Sequence, residues 1–224
     1  MDGDQPAEVA WNAQGVPVSA RFDDPYFNLD DGLAETRHTF LAGNGLPERF
    51  APGFHVAELG FGTGLNMLAT CLAFAAAGSP GPLNYTSFEA FPMAAGEIAR
   101  ALSAFPEAGA VAGPFLDAWG EGARRFALGD MQVEVILGDA RETLPAWPGK
   151  ADAWYLDGFS PAKNPELWGE ALMCDVADHT AQNGTFATYT AAGFVRRNLE
   201  AAGFAVTRQP GYGRKRHMSA GVKR

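Results

Sequence analysis

Three alternate glycines, Gly60, Gly62 and Gly64, stand in the stretch AELGFGTGLN, residues 57–66, between an apolar run and a helical one. Ahead of them, FHVAEL has the β-branched and apolar content of a short buried strand; behind them, LNMLATCLAFAAA is rich enough in Ala and Leu to run as a buried helix. The pattern predicts strand, tight turn, helix. Glycine lets the backbone bend that sharply and come close to a ligand, and the first free N–H groups of the helix supply donors, so a small molecule is expected at this junction. Two nucleotide-binding loops are excluded by residue. The dinucleotide fingerprint G-x-G-x-x-G needs a glycine where Leu65 stands, and the Gly-Lys-Ser/Thr of a P-loop is absent. What precedes the G-x-G-x-G is an acid, Glu58. A glycine turn between strand and helix also arises for purely structural reasons, so the ligand reading needs support from elsewhere.

That support comes from later strand ends. LNYTSFEAF predicts a second strand ending at Glu89, MQVEVILGD a third ending at Asp139 beside Ala140, and ADAWYLDGF a fourth ending at Asp157. In an open parallel sheet such ends share one edge, the edge where ligands bind. Glu89 is then placed to accept from both hydroxyls of a ribose, with a helix N-terminal charge as the plainer alternative. Asp139 and Ala140 are expected beside the base. GTFATYT, GFVRRNLEAAG, FAVTRQ and RHMSAGV add a strand, a helix and two closing strands, the last pair antiparallel. Residues 93–128 read as two or three short helices interrupted at Pro106, Gly109 and Gly113. Upstream, residues 11–27 read as a hairpin and a loop, and GLAETRHTFLAGNG as an amphipathic helix over about residues 33–41, ended by the Gly43-Asn44-Gly45 turn. The whole is an α/β chain of the doubly wound class.

With 224 residues, 47% of them hydrophobic, the chain is expected to form a single domain, 1–224, in which about residues 1–50 are an extension packed on the core. No run reaches the length of a membrane span and the N-terminus is acidic, so no membrane or secretory role is expected and the cytoplasm is the expected compartment. Cys71 and Cys174 lie in apolar helical patterns and are expected to be buried free thiols. His38, His55, His179 and His217 have no ligand-like spacing, so no metal is expected. The net charge of −9 argues against a nucleic-acid partner, but its distribution does not. Residues 191–224 hold eight basic residues against Glu200 alone, a local +7, leaving −16 on the rest. A solvated face is the ordinary fate of such a run. GYGRKRH, however, mixes an aromatic with clustered Arg and Lys, a composition suited to phosphate contact and base stacking.

FDDPYF, GLAETRHTFLAGNGLPERF, AELGFGTGLN, FEAFP, DAWYLDGFSPAKNPELW, TYTAAGFVRRNLEAAGF and GYGRKRHM together span most of residues 11–218. In these stretches, and above all in DGFSPAKNP, the chain resembles the methyltransferase domain of the MnmC-type tRNA wobble-uridine enzymes. The resemblance implies a Rossmann-like class I S-adenosylmethionine-dependent methyltransferase fold: a mostly parallel seven-stranded sheet, helices on both faces, and an N-terminal hairpin extension. It implies S-adenosylmethionine as cofactor, touched by Tyr26, Glu58, Gly60, Gly62, Gly64, Asn66, Glu89, Asp139, Ala140 and Asp157. The implied reaction is N-methylation of 5-aminomethyl-2-thiouridine in tRNA. Asp157 is expected to orient the amine and help it lose its proton; capping the following loop is the structural alternative. Phe159, Ser160, Lys163, Arg196, Arg197, Arg214, Lys215 and Arg216 are the expected substrate and tRNA contacts. In many members an FAD-dependent oxidoreductase domain follows and makes the free amine; here such a partner would be separate or missing, and FAD is not expected. Two other readings stay open on the residues alone. One is a small-molecule amine methyltransferase, for which the basic C-terminal segment has no purpose. The other is a non-catalytic tRNA-binding module, which predicts losses among Gly60, Gly62, Gly64, Glu89 or Asp157, and none is lost.

Overall fold

A computed structural model describes residues 5–28 and 31–224. The N-terminal segment forms β1 (Val9–Trp11), β2 (Pro17–Ser19) and β3 (Asp24–Pro25), a small antiparallel sheet with one strand more than the expected hairpin. Next comes α1 (Gly32–Thr36), continued by a π-turn (Arg37–Leu41) and a 3-10 turn (Ala42–Asn44), ending at Gly45 with φ 66°.

The core begins at β4 (His55–Leu59), which passes through the glycine turn into α2 (Leu65–Ala76) and on to β5 (Leu83–Glu89). Three short helices follow, α3 (Ala95–Leu102), α4 (Pro106–Gly109) and α5 (Gly113–Gly120). Then β6 (Arg125–Leu128) turns back through Gly129 and Asp130 onto β7 (Met131–Leu137). The chain closes with α6 (Ala140–Thr143), β8 (Ala151–Leu156), α7 (Glu170–Asp178), β9 (Thr180–Thr188), α8 (Gly193–Ala201), β10 (Phe204–Pro210) and β11 (His217–Lys223).

The central sheet runs β10-β11-β9-β8-β4-β5-β7-β6. The five strands β9, β8, β4, β5 and β7 are mutually parallel; β11 and β6 run antiparallel to them at the two sides, and β10 pairs antiparallel with β11. Eight strands replace the expected seven. The extra one is β6, hidden in RFAL: its residues are mostly exposed or half-exposed, so it shows little of the apolar alternation that betrays a strand. Strand order reverses between β4 and β8, and a crevice opens at the carboxyl ends of strands flanking such a reversal.

Strand residues alternate between two cores. Val56 and Tyr155 face one with α2, α3 and α5, whereas Ala57, Leu59, Trp154 and Leu156 face the other with α7 and α8. By the same alternation Glu58 shares the side of Val56, toward α2. Both cysteines are free, but neither is fully buried: Cys71 is half-buried, and Cys174 is exposed because it falls on the outer side of α7 while Leu172, Met173 and Val176 are buried. Among the described residues no helix is long and apolar enough to cross a membrane.

Candidate active site

The crevice is a cavity of about 830 Å³ at the carboxyl edge of the sheet. On its first side lies the turn after β4. Gly60 and Gly62 have φ of +84° and +53°, which L side chains rarely adopt. Space is also tight: a Cβ on Gly60 would lie 3.2 Å from the Gly158 Cα, and one on Gly62 3.3 Å from the Tyr26 ring, so a neighbour would have to give. At the end of β5, Glu89 accepts from the Gly62 N–H (2.9 Å) and the Phe91 N–H (2.7 Å), one to each oxygen. Burial raises its pKa above the usual carboxylate range, against these hydrogen bonds. Each oxygen keeps a lone pair for a further donor.

Asp139 and Ala140 also line the cavity. Asp139 caps α6 by accepting from the Arg141 N–H at 2.9 Å. The Arg141 guanidinium binds both its oxygens and holds its pKa below the usual value.

Across the cavity, Asp157 follows β8. Its Oδ1 accepts from the Gly158 N–H at 2.8 Å and its Oδ2 from Asn66 Nδ2 at 2.8 Å. The Asn66 amide is fully committed: it also donates to Glu58 Oε1 (2.8 Å), and its carbonyl accepts from Thr36 Oγ1 (2.7 Å). Glu58 in turn accepts from Ser87 Oγ at 2.7 Å. Burial pushes the Asp157 carboxyl up to about 6 and the Glu58 carboxyl up to about 8. Aromatic rings close this side. Phe22 stacks on Phe159 at 4.7 Å, and Tyr26 meets Phe159 edge-on at 5.2 Å.

The expected site residues divide by location. Tyr26, Gly60, Gly62, Asn66, Glu89, Asp139, Ala140, Asp157, Phe159 and Ser160 all line the cavity. Glu58 does not: it is fully buried one layer below, holding Asn66, because strand alternation aims it at α2. Gly64 is also beneath the surface, as the left-handed N-cap of α2 against Phe61 and Phe115. Lys163 lies outside the cavity and ties its loop to Asp23 and Asp24 of the N-terminal sheet. Arg196 and Arg197 sit on α8 away from the wall, Arg196 half-buried and Arg197 exposed. Arg214 and Arg216 are exposed on the turn between β10 and β11. Lys215, between them, turns inward: its Nζ is 2.6 Å from Glu35 Oε1 and 4.3 Å from the centre of the Tyr189 ring. Glu35 and Tyr189 line the cavity without standing among the expected residues. Glu35 carries no sequence signal, since an acid on a short helix reads as solvated; here π-turn packing buries α1 almost all round.

The cavity's size, its two side-chain-free glycine positions and the acid at the end of β5 fit a nucleoside-bearing cofactor. A family model described as S-adenosyl-L-methionine-dependent methyltransferase matches residues 107–224. The chain is 45% identical over 234 residues to the tRNA 5-methylaminomethyl-2-thiouridine biosynthesis bifunctional protein MnmC of Aeromonas hydrophila, covering 97% of this chain and 35% of that protein. With the protein of the same name from Caulobacter vibrioides it shares 46% over 219 residues, 94% of this chain and 37% of that one. It thus spans little more than a third of these curated relatives. Among solved structures, MNMC2 from Aquifex aeolicus superposes with a TM-score of 0.77 at 23% identity, over 97% of this chain and 70% of that one, a likeness of fold. On the family match and the relatives together, the chain belongs to the S-adenosyl-L-methionine-dependent methyltransferases.

Proposed function

We propose that this chain methylates the amine of 5-aminomethyl-2-thiouridine at the wobble position of tRNA, in the cytoplasm. The observation that carries the reading is Asp157: a carboxylate at the sheet's ligand edge, gripped from behind by Asn66 and Gly158, in a chamber ringed by Phe22, Tyr26 and Phe159. The name of the 45%-identical relatives supports the choice of substrate. Their remaining length leaves room for a second activity, and an FAD-dependent oxidoreductase is the proposed source of the amine.

S-Adenosylmethionine supplies a sulfonium methyl, whose transfer forms an N–C bond as the S–C bond breaks. In the proposed arrangement Glu89 accepts from the ribose hydroxyls, the glycine turn lets the backbone approach, and Asp139 and Ala140 flank the base. Asp157 works on the acceptor. A protonated amine has no lone pair, and for an amine titrating near 10.4 the neutral form costs up to ~4.6 kcal/mol at pH 7. Asp157 binds the ammonium and takes its proton. Its rise from 3.8 to about 6 narrows the mismatch with the amine, worth roughly 3 kcal/mol at ~1.36 kcal/mol per unit, while leaving it ionised at neutral pH. The rings offer stacking faces for the base.

The deciding experiment incubates the protein and labelled S-adenosylmethionine with bulk tRNA from cells lacking the modification, then identifies the labelled nucleoside by mass spectrometry. Label in 5-methylaminomethyl-2-thiouridine is expected. Label confined to small amines, or in another nucleoside, overturns the reading.

A further inference from the structure

The turn between β10 and β11 divides its basic residues by destination. Arg214, Lys215 and Arg216 are all exposed, but the Lys215 side chain, 41% exposed, reaches the cavity and ends on Glu35, whose side chain is 10% exposed. A lysine on a solvated turn does not need a nearly buried carboxylate or an aromatic face, and this one has both. The cavity's other cations are engaged elsewhere: Arg141 binds Asp139 and Glu166, and Arg21 lies over the Phe91 ring at 4.6 Å.

We propose that Lys215 is a positioning residue of the methyl-transfer chamber: held between Glu35 and Tyr189, it sets the charge facing Asp157 and so the seat offered to the substrate amine. This rests on the amine-methylating reading above. Among the described residues, the titratable groups facing this corner are Glu58 from β4, Tyr85 from β5, Glu35 from α1, Asp24 from the N-terminal sheet, Tyr189 beyond β9, and Lys215. Asp24 is answered by Lys163 and by the Ser160 N–H at 2.8 Å. Glu35 is answered by Lys215. Asp157 is left with neutral donors only, a single unmatched carboxylate suited to an ammonium.

Burial is the main cause of the raised Asp157 titration; Lys215 pulls it down and Glu35 pushes it up. The two partners of one ion pair therefore have opposite effects on a third group. Losing a merely structural bridge would disturb Asp157 in the same way whichever partner was removed.

The test titrates the Asp157 carboxyl by carbon-13 NMR in protein labelled on aspartate, assigned with Asp157→Asn. Lys215→Met, which keeps the stem, moves the titration to higher pH, by on the order of half to one unit for a partly screened neighbour. Glu35→Gln moves it lower, and Lys215→Arg leaves it in place. Shifts of the same sign for Lys215→Met and Glu35→Gln, or no shift in Lys215→Met, overturn the proposal. Should Glu35→Gln not fold, Lys215→Met against Lys215→Arg decides alone. The acid limb of single-turnover methylation should follow the same order. If the wild type does not methylate the modified tRNA, the functional reading fails, while the NMR titration still reports on Lys215.

Discussion

On the glycine-turn side main chain reaches the cavity wall at Gly60 and Gly62, both in left-handed conformation, with the Gly62 and Phe91 N–H groups on Glu89. On the Asp157 side the wall consists of side chains from segments far apart in sequence: Phe22, Tyr26, Glu35, Asn66, Phe159, Tyr189 and Lys215. A main-chain wall has its shape set by the strands that end there and has little to retune. A side-chain wall depends on charge and packing, so one substitution can change its chemistry while the fold stands. The first suits a cofactor common to a family and the second an acceptor particular to a few of its members.

The strongest test of this contrast is Asp157→Asn. Single-turnover methylation should fall by roughly 10²–10⁴-fold at neutral pH, the range of a positioned proton acceptor, while calorimetry shows cofactor binding retained. In the wild type the rate should be present above pH about 6 and lost below it, as Asp157 gains its proton; in the variant this limb disappears and the rate recovers partly as free amine accumulates at high pH. A wild-type rate in Asp157→Asn across the range would return Asp157 to a loop-capping role.

Glu58→Gln probes the layer beneath both sides. With its folded pKa raised from 4.5 to about 8, Glu58 keeps a proton that the unfolded chain has released. The folded state therefore binds more protons between those values, and stability declines as pH rises through that window. At pH 7 the decline amounts to about 3 kcal/mol. Gln can still accept from Asn66 and donate to Ser87, so chemical denaturation should show the variant losing this pH dependence. An unaltered pH dependence would mean Glu58 is not the titrating group.

On the main-chain side, Glu89→Ala removes an acceptor but not the turn. Cofactor affinity by calorimetry should weaken by about 1.5–3 kcal/mol, the worth of a charged hydrogen-bond partner. Loss of the fold instead would show that the wall depends on this side chain, and the contrast between the two sides would be wrong there. The smallest effect concerns the outer face: replacing Arg214 and Arg216 with Ala, leaving Lys215, should flatten the salt dependence of tRNA binding by roughly one unit of slope for each phosphate no longer neutralised. An unchanged slope makes these residues an ordinary solvated face.

The same contrast explains what can be read from the sequence. Strand ends and glycine turns are local, so β4, α2, β5, β7 and β8 fall where FHVAEL, LNMLATCLAFAAA and their successors put them, and Glu89, Asp139 and Asp157 come to one edge. Depth is not local. Nothing in ELGFG says that Glu58 stops one layer short of the cavity, because burial follows from which strand face meets α2. Nor does GRKRH say that its middle residue points inward. That depends on Glu35, 180 positions away, being buried at the cavity wall. Nor does SPAKNP say that Lys163 pairs with Asp23 and Asp24, some 140 positions upstream.

Gly60 and Gly158 meet main chain to main chain, so closely that a Cβ on Gly60 would crowd the Gly158 Cα at 3.2 Å. The two loops therefore touch along a tight seam, and beneath it Asn66 donates to both Glu58 and Asp157. A side chain introduced at Gly60 would press on both loops at once, so damage to one wall is expected to reach the other. Any coupling of two ligands across that contact is a reciprocal free energy, the same whichever of them binds first.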